Sequence, residues 1–365
     1  MRTRAAVVTA PGAPFELVDL DLDEPRADEV LVKMVATGLC HTDLTMTTML
    51  PAEMFPNVFG HEGAGVVEAV GDDVTGIRVG DHVVLSFRSC GACPKCEAGR
   101  VGYCDSSLML NYMGTRMDGS TTYTRDGTPV FGSFFGQSSL SAYAIAYADN
   151  CVVVDPSLDL TRLAPFGCGF QTGAGTVLNV LSPGPTDSLV VFGAGAVGLA
   201  AIAAAAGLRD HSGLGSLIAV DPNPERRALA ERYGAVALDT TGDPVARIKE
   251  LTGGGASAAI DTTAISDVVL QAQHCLTSGG TVVALGLGAE NYTLDAIDLL
   301  QAGKTVKASI EGDSDPQSMV PHLIDLARQG AFEVDHLIRT YPIDDLASAV
   351  ADTAAGRTVK PVLLW

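Results

Sequence analysis

The sequence predicts an α/β protein in two parts, an antiparallel, barrel-like β portion before residue 170 and a doubly wound parallel sheet after it. The first observation behind this is a change of texture. Alternating strand-like runs at 30–35, 65–70 and 82–85, separated by Gly, Asp and Pro turns, give way to apolar runs that alternate with helix-length segments. The second is the string Gly193-Ala-Gly195-Ala-Val-Gly198, set between an apolar run and an alanine-rich stretch. The third is size: 365 residues with 40 glycines suit two domains of ~150 residues each, rich in tight strand-to-helix turns.

In the second part, 190–192 reads as a buried strand, 193–198 as a turn and 199–206 as a helix. The uncharged run 188–208 is long enough to span a membrane, but its interior glycines make it a strand–turn–helix unit instead. A second strand, 217–220, ends in Asp221. A helix at 225–233 follows, opened by Asn223-Pro224, then helices at 244–252 and 267–275 and strands at 258–261 and 281–285. In this context G-x-G-x-x-G is a dinucleotide signature. Gly193 permits the turn, Gly195 lets a pyrophosphate approach the backbone, and Gly198 lets helix and strand pack closely. The Asp221 carboxylate suits the adenosine ribose hydroxyls and would repel a 2′-phosphate, so NAD is expected. Arg226 and Arg227 are the counter-signal. They either recruit the phosphate of NADP or lie on an exposed helix.

Cys90, Cys93, Cys96 and Cys104 have the spacing of a closed, four-thiolate structural zinc site. A pair of disulfides is the competing use, disfavoured because an apolar N-terminal run broken at Pro11-Gly12 gives no secretory signal; a cytoplasmic location is expected. Twenty-three basic against forty-three acidic residues leave a formal charge of −20, which disfavours nucleic acid and anionic membrane as partners. No internal repeat or low-complexity linker interrupts the chain.

A second set of metal-binding residue types is dispersed: Cys40, His61 and Cys168. Spacing does not unite them, and either cysteine taken singly is more often a small buried hydrophobe. As a Cys₂His set with an open fourth position they match one ligand set of catalytic zinc.

Over essentially its whole length the chain resembles the zinc-dependent alcohol dehydrogenases of the medium-chain dehydrogenase/reductase family. The residues that carry this are Gly38-Leu-Cys-His-Thr-Asp43, Gly60-His-Glu-Gly-Ala-Gly-Val-Val-Glu-Ala-Val-Gly71, the four-cysteine lobe, Gly193 to Gly198, and Asp221. The resemblance implies a GroES-like catalytic domain over 1–169 and 307–365, with a zinc lobe near 88–106, and a Rossmann NAD-binding domain over 170–306. It makes Cys40, His61 and Cys168 catalytic zinc ligands, Glu62 an acid that can approach the metal, Asp43 the partner that orients His61, and Thr42 the hydroxyl that takes the alcohol proton. It makes His41 a pyrophosphate contact, Thr172 and Val197 supports for the nicotinamide, and Lys360 a phosphate contact. Cys151 and Cys275 match no ligand and read as structural thiols. Thr45 stands where several relatives carry a histidine that ends the proton relay, so the relay is truncated or rerouted here.

Phe134-Phe-Gly-Gln-Ser-Ser139, the stretch around Cys168, and Ile310-Glu-Gly-Asp-Ser are similar to the aryl-alcohol (benzyl-alcohol) branch. The expected activity is hydride transfer between a primary aryl or allylic alcohol, or its aldehyde, and NAD, with two zinc ions per chain and a dimer or tetramer as the assembly. A biosynthetic reductase of an aldehyde, enal or iminium, a thiol-conjugate formaldehyde dehydrogenase, and a non-catalytic NAD- and zinc-binding protein are the alternatives.

Overall fold

The computed structural model describes residues 1–212 and 214–365, which divide by internal contacts into two compact units. The first comprises Met1–Cys168, Asp315–His322 and Asp335–Trp365. Among the described residues it holds a five-stranded sheet, ordered Asn57–Val58, Arg2–Val8, Phe15–Leu22, Tyr123–Arg125 and Thr128–Val130, and a seven-stranded sheet built around Glu29–Gly38. That central strand pairs antiparallel with Gly63–Val70, Tyr143–Tyr147 and Lys360–Leu364.

The alternation along Glu29–Gly38 explains why it lies in the middle. Val30, Val32 and Met34 pack with Val67, Val83, Leu85 and Ala144 on one side. Leu31 packs with Ala5, Val7, Leu20, Val58 and Ile145 on the other. A strand sends successive side chains to opposite faces, so one apolar run serves two cores. Each such aliphatic side chain contributes ~1.5–3 kcal/mol by its burial. The expected strands at 30–35, 65–70 and 82–85 all lie within observed ones.

The strand Lys360–Leu364 brings the end of the chain back to the site. Val362 lies opposite Gly38, and Gly63 lies opposite Thr37 on the other edge. Residues 62 and 360 therefore flank a position that has no side chain.

The second unit comprises Gly169–Ser314 and Leu323–Val334. Its sheet is wholly parallel and, among the described residues, six-stranded, in the order Val236–Leu238, Ser216–Val220, Ser188–Phe192, Ala256–Asp261, Leu276–Ala284, Thr305–Ala308. Ser188–Phe192 is buried at every position, as a central strand covered on both faces must be. The helix Ala196–Ser212 follows it, and small side chains let it pack tightly. At Gly173 and Gly207 an added Cβ would lie 2.1 Å from the carbonyl oxygens of Val197 and Ala331. Side-chain caps start the later helices, with Asn223 accepting from the Glu225 N–H, Asp243 from Ala246, and Asp295 from Ile297 and Asp298.

The expected boundary at 306/307 falls inside the strand Thr305–Ala308, which pairs with Leu276–Ala284 and so keeps residues up to Ser314 with the parallel sheet. Among the described residues no helix is long and apolar enough to cross a membrane; the uncharged run 188–208 is divided between a strand and a helix.

Candidate metal centres and dinucleotide loop

Cys40 is the N-cap of the helix His41–Met49, whose third residue is Asp43. Fully buried, Asp43 gathers three donors: the Cys40 N–H at 3.0 Å, the Gly60 N–H at 3.0 Å and His61 Nδ1 at 2.8 Å. One carboxylate thus ties the helix start to the turn that carries His61. Because a carboxylate only accepts, Nδ1 carries the proton and Nε2 presents its lone pair. That Nε2 is buried without a hydrogen-bond partner. It faces a set in which Cys40, His61, Glu62 and Cys168 each bring a ligand atom within 4.8 Å of the others, all four buried.

The electrostatics of this set suit a cation. The hydrogen bond from Cys168, aided by the charges of Lys360 and His61, holds the Cys40 thiol well below its ordinary value despite burial. Burial opposes a charge on His61, but Asp43 and Cys40 outweigh it and raise the imidazole well above its usual range. Surroundings that favour a second proton on His61 equally favour a metal cation on Nε2. Two thiolates and an imidazole are a zinc-type donor set, and a metal there would satisfy an otherwise orphaned nitrogen.

Glu62 does not stand alone beside this set. Burial pushes its carboxyl up to about 7, against the pull of Lys360. Lys360, 2 % exposed, donates from Nζ to both Glu62 oxygens at 2.8 and 2.9 Å. Lys360 is also the residue that the resemblance makes a cofactor phosphate contact. Its amine is enclosed and turned to a carboxylate that compensates its burial. Gly38 makes room for the pair, since an added Cβ would come within 2.0 Å of Glu62 Oε2.

Two further residues hold His61 and went unassigned from sequence. Gln137 accepts from the Gly63 N–H at 3.0 Å and donates to the His61 carbonyl at 3.0 Å and that of Ser86 at 2.9 Å, clamping the turn on both sides. The Phe135 ring lies 4.6 Å from the imidazole at 31°, on a backbone with φ of 53°. Both belong to the motif 134–139, but their function depends on a neighbour more than seventy residues away. Thr42 and Thr45 are half-buried on the same helix, and His41 is exposed.

In the cysteine lobe, the sulfurs of Cys90, Cys93, Cys96 and Cys104 also lie within 4.8 Å of one another. Cys93 and Cys96 are 3.5 Å apart, and Cys90 and Cys96 4.0 Å. A tetrahedron with zinc–sulfur arms of roughly 2.3 Å has edges of about 3.8 Å, so the spacing fits one ion. Backbone N–H groups of Cys90 and Ser106 reach the Cys104 sulfur, and that of Asp105 reaches Cys93. The Asp105 donor is the main reason that the Cys93 thiol falls to about 6, a value that favours the thiolate. Leu110 and Val101 pack against the buried pair Cys96 and Cys104. Cys151 and Cys275 are buried free thiols in neither set.

The glycine loop has the form of a phosphate cradle. Gly193 has φ of 88°, and a Cβ on Gly198 would come 1.9 Å from the Gly193 carbonyl oxygen. Gly195 is exposed and faces open space, which a side chain would fill. Asp221, 8 % exposed at the end of the second strand, accepts from the Ala194 N–H and the Asn223 N–H, each at 2.7 Å. Its carboxylate is thereby held against the loop. Arg226 is buried rather than exposed, and burial lowers its pKa against the charges of Asp221 and Glu225. Arg227 donates to the carbonyls of Asp221 and Pro222. Thr172, 9 % exposed on the helix Gly169–Gly175, donates to Glu311 at 3.0 Å, and Val197 is half-buried at the first turn of Ala196–Ser212.

A GroES-like unit with a buried Cys₂His set, and a Rossmann-type unit with a glycine cradle, define a zinc-binding dehydrogenase. Comparison with known proteins agrees: residues 26–156 match the alcohol dehydrogenase GroES-like domain, and residues 196–329 match the zinc-binding dehydrogenase family. The chain is 42 % identical over 368 residues to geraniol dehydrogenase of Castellaniella defragrans, covering 99 % of this chain and 97 % of the relative. It is 36 % identical over 373 residues to NDMA-dependent alcohol dehydrogenase of Amycolatopsis methanolica, covering 100 % and 99 %. The crystal structure of benzyl alcohol dehydrogenase from Acinetobacter calcoaceticus aligns with a TM-score of 0.94 at 39 % identity, covering 100 % of this chain and 99 % of that one. The chain belongs to the zinc-dependent alcohol dehydrogenases of the medium-chain dehydrogenase/reductase family. It is an alcohol dehydrogenase with a small-molecule substrate.

Proposed function

We propose that this enzyme interconverts a primary aryl or allylic alcohol and its aldehyde with NAD as the partner, using two zinc ions per chain. The observation that carries the reading is the buried set of Cys40, His61 and Cys168, with His61 Nδ1 committed to Asp43 and Nε2 unpartnered. These three side chains would hold the catalytic zinc, and Cys90, Cys93, Cys96 and Cys104 the structural one. When bound, zinc supplies a Lewis acid and NAD a hydride acceptor.

The remaining work falls to the chain. Asp43 fixes the His61 ring and the start of the helix that carries Thr42. Glu62 is a carboxylate within reach of the ligand set, available during ligand exchange. Thr42 would take the alcohol proton and pass it on toward water, because a hydroxyl both accepts and donates. Thr45 has no titratable group with which to end that path. Gly193, Gly195 and Gly198 would seat the pyrophosphate, Asp221 would take the adenosine ribose, and Thr172 and Val197 would support the nicotinamide, while His41 keeps its expected role as a phosphate contact.

The substrate class is supported by relatives named for geraniol, an allylic alcohol, and for benzyl alcohol. NADH formation by the purified enzyme on benzyl alcohol, cinnamyl alcohol, geraniol, ethanol and the glutathione–formaldehyde adduct tests it. The aryl and allylic alcohols should exceed ethanol in kcat/KM by at least about tenfold, the scale that apolar pocket contacts provide. A preference for the adduct, or oxidation only with NADP, rejects the reading.

A further inference from the structure

Residues 59–62, which include His61, lie between the strands Asn57–Val58 and Gly63–Val70 and belong to neither. Buried backbone groups outside a ladder must find partners one by one. Here most come from the segment 137–140. The Leu140 N–H donates to the Phe59 carbonyl and the Ser139 N–H to the Gly60 carbonyl, each at 3.0 Å. Gln137 continues the series with its side chain, Nε2 donating to the His61 carbonyl and Oε1 accepting from the Gly63 N–H, both at 3.0 Å. One carboxamide therefore bridges the two peptide groups that flank Glu62, and the Gly38 N–H secures the second of them by donating to the Glu62 carbonyl at 2.9 Å.

Gln137 is itself fixed. It is 1 % exposed, and its second Nε2 hydrogen goes to the Ser86 carbonyl at 2.9 Å. Both partners of the nitrogen only accept and the partner of the oxygen only donates, so the amide has one orientation. The backbone that presents it is bent, with Ser133, Phe135 and Ser138 at φ of 73°, 53° and 48°. Side-chain-bearing residues stay there only when their surroundings hold them. Asn150 Nδ2 donates to the carbonyls of Phe135 and Gly136 at 3.0 and 3.1 Å, and Ser138 Oγ to that of Val58 at 2.6 Å. We infer that Gln137 is a positioning residue for the ion of the Cys40, His61 and Cys168 set, fixing the main chain from which the His61 ring projects and so slowing exchange of that ion. The inference rests on the reading of this set as the catalytic zinc site. Asp43 holds the ring, and Gln137 holds its backbone.

Zinc transfer from the zinc-loaded enzyme to excess EDTA tests this without turnover. The wild type should release two ions in two phases, and Cys168→Ser identifies the phase that belongs to its set. Gln137→Met keeps the length and loses all three hydrogen bonds. It should speed that phase by about tenfold, the lower end of the range for partners of metal ligands, and leave the phase of the cysteine lobe unchanged. With cobalt(II) in place of zinc at the set, the same variant should shift the ligand-field absorption bands. Leu20→Ala opens a cavity in a core that contains none of the ligands, and at matched loss of stability it should change neither readout. Should Gln137→Met not fold, Gln137→Ser, in which water can fill the vacated space without holding the turn, carries the same expectation. A folded Gln137 variant with wild-type release and cobalt spectrum, or one matched in both by Leu20→Ala, overturns the inference and leaves the zinc reading intact. A wild type that holds one zinc, retained in Cys168→Ser, overturns both.

Discussion

Lys360 Nζ donates to both carboxylate oxygens of Glu62, at 2.8 and 2.9 Å, with the two side chains 2 % and 0 % exposed and 298 residues apart. Burial works against the lysine's charge, and the Glu62 carboxylate reverses that and raises its pKa. The same carboxylate lies among the ligand atoms of Cys40, His61 and Cys168. The pair therefore links the C-terminal strand to the metal-binding set.

Removing one member of a buried ion pair leaves a charge without compensation, at a cost of about 3–5 kcal/mol. Lys360→Met should lower unfolding free energy by that order, and adding Glu62→Gln should restore most of it. Denaturant titration of both variants checks this, and a Lys360→Met protein as stable as wild type would contradict the buried pairing. Gly38→Ala should mimic the single variant, because its Cβ intrudes on the Glu62 carboxylate.

Asp43→Asn keeps the shape but weakens the acceptor that fixes His61. Disturbing such an outer partner typically costs about 10–100-fold in metal affinity. Stepwise chelation should strip one zinc from this variant at lower chelator concentration than from wild type, with the second zinc unaffected. Equal loss of both metals would remove Asp43 from its assigned role.

Asp221→Ser should narrow the preference for NAD over NADP, because it removes the carboxylate that a 2′-phosphate would meet. It should also weaken NADH binding itself, since the loop loses the acceptor for the Ala194 and Asn223 N–H groups. Titration with both cofactors separates the two effects. A wild type that favours NADP would show that Asp221 does not face the ribose.

Thr42→Val should strongly reduce alcohol oxidation with zinc content unchanged, whereas Thr45→Val should alter it little. Thr45→His adds a group of pKa ~6.5, neutral and able to accept a proton above that value. Its oxidation rate should therefore rise relative to wild type as pH increases through that range. The pH–rate profiles of the three variants test the path, and near-normal oxidation by zinc-loaded Thr42→Val would rule Thr42 out of it.

The parts legible in the sequence were those whose cause is local. Gly193 to Gly198 reads directly because one turn fixes all three glycines, and the sulfurs of Cys90, Cys93, Cys96 and Cys104 meet within a single lobe. The antiparallel and parallel halves were visible in strand periodicity and in fully apolar strands such as Ser188–Phe192. Uniting Cys40, His61 and Cys168 required resemblance, since no spacing rule joins them. The turn of Lys360 toward Glu62 was not readable, because it depends on a C-terminal strand pairing beside Gly38. Gln137 stood in a noted motif without a function, as its partner at Gly63 is distant in sequence.

The central claim is that two separate metal sets divide structure from catalysis, and zinc content measured together with alcohol-dependent NADH formation tests it most directly. The wild type should contain two zinc ions per chain. Cys168→Ser should fold, keep one and lose turnover, while Cys93→Ser should lose the other and destabilise the lobe around Val101 and Leu110. A single zinc in well-folded wild type, or turnover surviving in Cys168→Ser, would contradict the account.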